Sequence, residues 1–294
     1  MNEYKWQADL EKYLPEEIRS PLLKLSPKLA GMLEEIRIRA YRPVQIICSG
    51  YSGVIETELI DERVCAMLLE RLCDYSSYSH EDERKNGFIT LRGGYRVGLC
   101  GRMGGKNSVG RVSGFNIRIA REWKGCADGL MPNIIGKNGR AVSTLLLSAP
   151  GVGKTTMLRD IARQLSDGCV CNGKKIAIAD ERSEIAGAYL GIPTLDVGAR
   201  TDVMDGWPKA QAIQMLIRTM SPEVIVTDEI GGTEDAAALG EAARCGVAVI
   251  ASAHARDAES AKERPELTSL LKAGLFERIV ELYRNGKGVG FHVA

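Results

Sequence analysis

Apolar residues recur at three- and four-residue steps near the start of the chain. Leu10, Tyr13, Leu14, Ile18, Leu22 and Leu25, then Leu29 through Ile36, predict short helices divided by Pro15, Pro21 and Pro27. The period then shortens. Val44–Cys48 reads as a strand, and Asp61–Tyr75 as an amphipathic helix with Val64, Met67, Leu68 and Leu72 on one face. Phe88–Leu91, Tyr95–Leu99 and Phe115–Ala120 read as short strands separated by nine glycines between Gly87 and Gly114. Further on, apolar strands at Ser143–Leu147, Lys175–Ala179, Val224–Thr227 and Val247–Ala251 alternate with helices from Lys154, over Pro208–Met220 and over Glu234–Arg244. Short apolar strands separated by helices imply a parallel sheet covered on both faces. The expected organisation is an α+β domain over 1–124, a connector over 125–140 acting as the hinge, and an α/β domain over 141–294.

Composition narrows the classes. The 294 residues are 45% hydrophobic and 26% charged, the mix of a folded globular protein. Lys and Arg (39) nearly balance Asp and Glu (38), which excludes a polyanion-coating character for the chain as a whole. The local balance differs. Arg84, Lys85, Arg92, Arg96, Arg102, Lys106, Arg111, Arg118, Arg121 and Lys124 face one acid, Glu122, an excess of +9 in 41 residues. Such a segment suits nucleotide phosphates, a nucleic-acid backbone or an acidic partner, or is a solvated hairpin surface.

The N-terminal MNEYKWQADLEKYLPEEI lacks an apolar signal core, and runs such as Gly246–Ala253 fall far short of the roughly 20 residues of a membrane span. A soluble, non-exported, cytoplasmic protein is expected. Eight cysteines without a CxxC pair read as reduced thiols, and three dispersed histidines (His80, His254, His292) argue against zinc.

The strongest chemical signal is STLLLSAPGVGKTTML, Ser143–Leu158, a strand running through a tight loop into a helix. Backbone N–H groups of Pro150, Gly151, Val152 and Gly153 onward (Pro150 itself has none) would cradle a phosphate at the helix N-terminus. Lys154 would reach the β/γ-phosphates, Thr155 would hold Mg2+, and Thr156 would support the α-phosphate of ATP. The pattern G-x-x-x-x-G-K-[ST] asks for Gly where this chain has Ser148. PEVIVTDEI, Pro222–Ile230, ends a buried strand in two acids: Asp228 to hold a Mg2+-bound water and Glu229 as general base. IADERSE, Ile178–Glu184, either places Asp180, Glu181 and Glu184 beside the nucleotide or forms a salt-bridge network with Arg182. VIASAHA, Val249–Ala255, puts His254 at the next strand end, where it would contact the γ-phosphate or its attacking water. The fold class is therefore a P-loop NTPase domain of the RecA-like (ASCE) kind, preceded by a smaller α+β domain.

LIRTMSPEVIVTDEIGGTED followed by ALGEAARCGVAVIASAHARDA is similar to the core of the type II/type IV secretion ATPases. The first histidine of that family's histidine box is Val247 here. EEIRIRAYRPVQI, GFITLRGGYRVGLCGR, NIRIAREWKGCAD and DERSEIAGAYLGIPTLDVGARTDVMDGWPKA resemble the sporulation stage III AA family. That resemblance implies an ATP-hydrolysing homohexamer with ATP between subunits. It also implies peripheral association with the integral-membrane components of a mother-cell to forespore channel, from the mother-cell cytoplasm. By the same resemblance Arg96, Arg102 and Arg118 match N-domain arginines that approach the nucleotide, with Arg200 and Arg218 as further candidates in trans. No nucleic-acid partner is implied. The alternatives are a nucleic-acid-dependent ATPase of the helicase or recombinase kind, against which stand few interleaved aromatics (Tyr95, Phe115), and a non-hydrolysing scaffold.

Overall fold

The computed structural model describes residues 4–48, 51–75, 81–104, 109–119, 122–285 and 288–294, so His80, Lys106, Ala120 and Arg121 lie outside the described residues. The chain divides into two compact units, Met1–Ala120 and Arg121–Ala294.

The first unit opens with helices α1 (Lys5–Leu10), α2 (Glu16–Leu23) and α3 (Pro27–Met32). Strands β1 (Leu33–Arg39), β2 (Val44–Cys48) and β3 (Tyr51–Ile55) follow, then α4 (Glu62–Leu72), α5 (Glu81–Lys85), β4 (Phe88–Leu91), β5 (Tyr95–Met103) and β6 (Val109–Arg118). The six strands form one antiparallel sheet in the order β3-β2-β1-β6-β5-β4. Leu10, Ile18, Leu22, Leu68 and Leu72 from the helices are buried in one cluster with Ile36, Ile38, Val97 and Ile117 from the sheet.

Two expectations change here. The helix expected through Ile36 gives way at Leu33 to a strand, because Ile36 and Ile38 are buried while Arg37 and Arg39 between and beyond them are not. That is a two-residue period. The spacing of Leu29, Leu33 and Ile36 fits a helix, and the irregularity between Leu33 and Glu35 in the β1–β2 ladder, which breaks the alternation, hides the two-residue period. The strand expected at Phe115–Ala120 begins earlier, at Val109, and pairs along its length with β5.

The second unit contains α6 (Met131–Ile134), β7 (Thr144–Ser148), α7 (Lys154–Asp167), β8 (Ile176–Asp180), β9 (Thr201–Asp205) and α8 (Lys209–Met220). It continues through β10 (Val224–Thr227), α9 (Thr233–Arg244), β11 (Ala248–His254), α10 (Ala258–Lys262), α11 (Pro265–Lys272), β12 (Arg278–Asn285) and β13 (Gly288–Val293). The sheet order is β13-β12-β7-β11-β10-β8-β9, parallel throughout except for β13. Leu145 and Leu147 belong to one buried cluster and Leu146 to another, so both faces of the sheet are covered.

Residues 125–140 are not a connector in this structure. Ala127, Leu130, Met131 and Ile134 are buried in the same cluster as Leu158 and Ile161 of α7. The Ala127 N–H donates to Asp160 Oδ2 at 2.9 Å. The segment's glycines and asparagines suggested a linker, but four of its apolar residues have a core to enter. The strand order decides where chemistry can occur. Parallel neighbours bring the C-terminal ends of β7, β8, β10 and β11 to one edge of the sheet, which is where open α/β sheets bind ligands.

Candidate active site

At that edge β7 ends in Ser148, buried and paired with His254 across the β7–β11 ladder. The loop then turns on Gly151 (φ +74°) and Gly153 (φ +126°), values an L side chain resists, and α7 begins at Lys154. The opening N–H groups of that helix have no carbonyl ahead of them and carry the positive end of its dipole. Ser148 departs from the Gly of the motif without strain, since it is an ordinary extended strand residue. Its hydroxyl donates to Ala149 O at 2.8 Å and accepts from Lys154 Nζ at 3.1 Å.

The Lys154 ammonium is almost wholly buried and folded back on the loop. It donates to Ser148 O at 3.0 Å and Ala149 O at 3.2 Å, and lies 2.9 Å from Nδ1 of His254. Burial lowers its pKa from the ordinary lysine value, against the opposing pull of Glu229. An ammonium has only donors, so Nδ1 of His254 is the acceptor and the ring proton sits on Nε2. Nε2 lies 3.5 Å from Glu229 Oε2. Arg264 of the turn after α10 donates to the His254 carbonyl at 2.5 Å, fixing the end of β11.

Glu229 and Asp228 follow β10, which is anchored to β8 by the Thr227 hydroxyl donating to Ala179 O at 3.0 Å. Glu229 is 30% exposed and its Oε2 lies 3.5 Å from Arg182 as well as from His254. Asp228 is buried, and its Oδ1 accepts no well-formed hydrogen bond, although the ammonium of Lys209 stands 3.1 Å away. Lys209, the first residue of α8, also donates to the Glu229 carbonyl. Sequence reasoning missed Lys209. It sits 20 residues before Glu229 within an unremarkable helix start, and only the packing of α8 against α9 and β8 brings it to the acids.

The IADERSE segment resolves into two parts. Asp180 is a buried anchor whose carboxylate accepts from the N–H groups of Glu184 (2.9 Å), Ile185 (3.0 Å) and Ala186 (2.8 Å). Burial, with the charge of Asp228 adding to it, pushes Asp180 up to about 6 against those three bonds. Arg182 forms its ion pair with Glu229, outside the segment. Arg200 donates to Ser166 O at 2.8 Å, a packing role, while Arg218 is exposed near the end of α8.

Arg96, Arg102 and Arg118 belong to the first unit. Arg96 stacks over Phe88 with 3.9 Å to the ring centroid and pairs in register with Arg118 across β5 and β6, while Arg102 pairs in register with Arg111.

The residues fit a magnesium nucleotide. The glycine turn leaves a loop whose backbone can accept an anion, and Asp228 Oδ1, ion-paired with Lys209 but without a hydrogen bond, keeps acceptor capacity for a metal-bound water. Pro150 through Thr156 with Lys154 would hold the phosphates, and Thr155 and Asp228 would hold the metal. A bound nucleotide would supply a phosphoanhydride, and a metal held by Thr155 and Asp228 would neutralise charge on its oxygens. Glu229, with His254 Nε2 at 3.5 Å from its Oε2, stands at the same sheet edge as the loop.

A parallel sheet with this loop after β7 and an acid pair after β10 has the arrangement of the P-loop nucleotide-binding class of folds. The X-ray structure of the Legionella pneumophila ATPase DotB superposes with TM-score 0.64 at 15% identity, covering 92% of this chain and 78% of that one. The pilus retraction motor PilT with bound ADP gives TM-score 0.61 at 16% identity, over 90% of this chain and 80% of that one. At such identities the likeness is one of fold. Within that class the chain belongs to the family described as "Sporulation stage III, protein AA", whose model matches residues 4–291. The stage III sporulation protein AA of Bacillus subtilis (strain 168) is 42% identical over 293 residues, 96% of this chain and 92% of that protein. The uncharacterized protein ycf45 of Cyanidium caldarium is 32% identical over 194 residues, 65% of this chain and 53% of that protein. Among the described residues no helix is long and apolar enough to cross a membrane.

Proposed function

We propose that this chain is a Mg2+-dependent ATPase, a homohexameric motor of the secretion-ATPase kind that powers or assembles the channel between mother cell and forespore. The observation that carries the reading is the convergence at one sheet edge of Lys154, Glu229 and His254, linked by contacts of 2.9 and 3.5 Å. ATP binds the loop at Pro150–Thr156, Thr155 and Asp228 hold the metal, and Glu229 takes the proton of the attacking water. Arg96, Arg102 and Arg118 act on the phosphates at a site shared between subunits, where guanidinium groups neutralise developing phosphoryl charge. Membership of a sporulation family and a fold shared with secretion motors support this reading. The ring works from the mother-cell cytoplasm, held at the membrane by integral-membrane partners.

Steady-state phosphate release across a protein concentration series tests it, with Lys154→Ala as control. Activity per subunit that rises with concentration and vanishes in the variant is expected. Activity independent of concentration removes the shared site. None at any concentration, with ATP still bound, favours the scaffold reading.

A further inference from the structure

The acid pair Asp228–Glu229 is held by a residue outside the sequence motifs described above. Lys209 is 5% exposed, and its ammonium stands against three oxygens from two different elements. They are Asp228 Oδ1 at 3.1 Å, the Glu229 backbone carbonyl, and Asp235 Oδ2 of α9 at 3.9 Å. Asp235 in turn accepts from the Gly231 N–H at 3.0 Å, so the turn from 228 to 231 is gripped at both ends.

Two physical points make this more than incidental packing. A lysine at the first position of a helix lies at the positive end of the dipole, where a cation is disfavoured. A buried ammonium also costs several kcal/mol of desolvation unless it is well paired. Both costs are offset here by the acidic turn together with Asp235 of α9. Without the ammonium, Asp228 would be a buried carboxylate with Asp180 as an electrostatic neighbour. A metal holds its geometry through the groups that orient its ligands, and those groups matter almost as much as the ligands themselves.

We infer that Lys209 is a positioning residue for the Asp228–Glu229 pair: it orients the Asp228 carboxylate toward the metal and fixes the backbone that aims Glu229. The inference rests on the ATPase reading above and deepens it.

The test compares wild type, Lys209→Met, Lys209→Arg and the charge-neutral double variant Lys209→Met/Asp228→Asn. Two quantities are read: phosphate release, and the tightening of fluorescent ADP binding on adding Mg2+. Lys209→Met should bind ADP without Mg2+ as wild type does. Its Mg2+-dependent tightening and its kcat should each fall by about tenfold or more, the scale for losing a group that orients a metal ligand, with KM for ATP little changed. Lys209→Arg should recover part of both. If Lys209→Met does not fold, the double variant should fold and bind ADP, because it no longer buries a naked carboxylate.

Wild-type Mg2+ tightening and kcat in a folded Lys209→Met overturn the inference. So does a double variant that also fails to fold, which would make Lys209 a packing residue. A wild type that releases no phosphate removes the ATPase reading instead, and the Mg2+ tightening and the folding comparison then still decide Lys209.

Discussion

The Nζ of Lys154 lies 2.9 Å from Nδ1 of His254, and the far side of the same imidazole faces Glu229 Oε2 at 3.5 Å. One ring thus joins the phosphate-loop lysine on one strand-to-helix turn to the acid on another. The lysine contacts one edge of the ring and leaves the Nε2 edge facing the acid. Replacing His254 by Ala removes both ends of this link. The expected outcome is a fall in kcat of about tenfold or more, the scale for loss of an orienting partner, with a smaller effect on ATP affinity. Stopped-flow ATP binding beside steady-state phosphate release separates the two.

Glu229→Gln keeps the shape of the side chain and loses its basicity. Phosphate release should drop by about 10²–10⁴-fold, the usual contribution of a general base, while ATP remains bound. Retained radiolabelled ATP after gel filtration is the readout. Normal turnover by this variant would remove Glu229 from the base role.

Asp180 gives a pH signature in stability. Its folded pKa, pushed up to about 6, lies above the unfolded value of 3.8. The folded state therefore holds the proton more tightly than the unfolded state does between those values, and stability falls as pH rises across that window. The full change is about 3 kcal/mol, and it is complete above pH 6. Urea melts from pH 4 to 7 should show this slope in the wild type and a flatter one in Asp180→Asn. The variant should also be less stable near pH 4, since an amide presents one acceptor oxygen where the carboxyl group takes three N–H donors.

Thiol chemistry separates the cysteines by environment. Cys126 is half-buried beside Asp160, and burial with that charge pushes its thiol up to about 12. Cys100, Cys169 and Cys245 are exposed. At pH 8 a water-soluble disulfide reagent should label the exposed three and leave Cys126 untouched until the protein unfolds, as peptide mapping would show.

The sequence alone determined the parts that are local in the chain. The strand–loop–helix of Ser148 to Lys154 is written in its glycines and its apolar run, because a left-handed turn and a buried strand each demand particular residues at particular steps. Val224–Thr227 ending in two acids was legible for the same reason. The strands β9 and β12 were not, since their apolar positions are few or interrupted by charge and only their neighbours in the sheet define them. Leu33–Arg39 was misread because the irregularity between Leu33 and Glu35 breaks its two-residue alternation and leaves a three-residue step that reads as helix.

Residues 125–140 looked like a linker because composition records glycine and asparagine, not the cavity beside α7 that receives Ala127 and Met131. The partners of the site residues also waited on the tertiary structure. His254 is 100 residues from Lys154, Lys209 is 20 from Glu229, and Arg182 reaches Glu229 from another strand end. Hydrogen bonds and ion pairs act over a few ångströms of space, whatever the distance along the chain. The order in which the parallel strands lie decided which of these charges would meet.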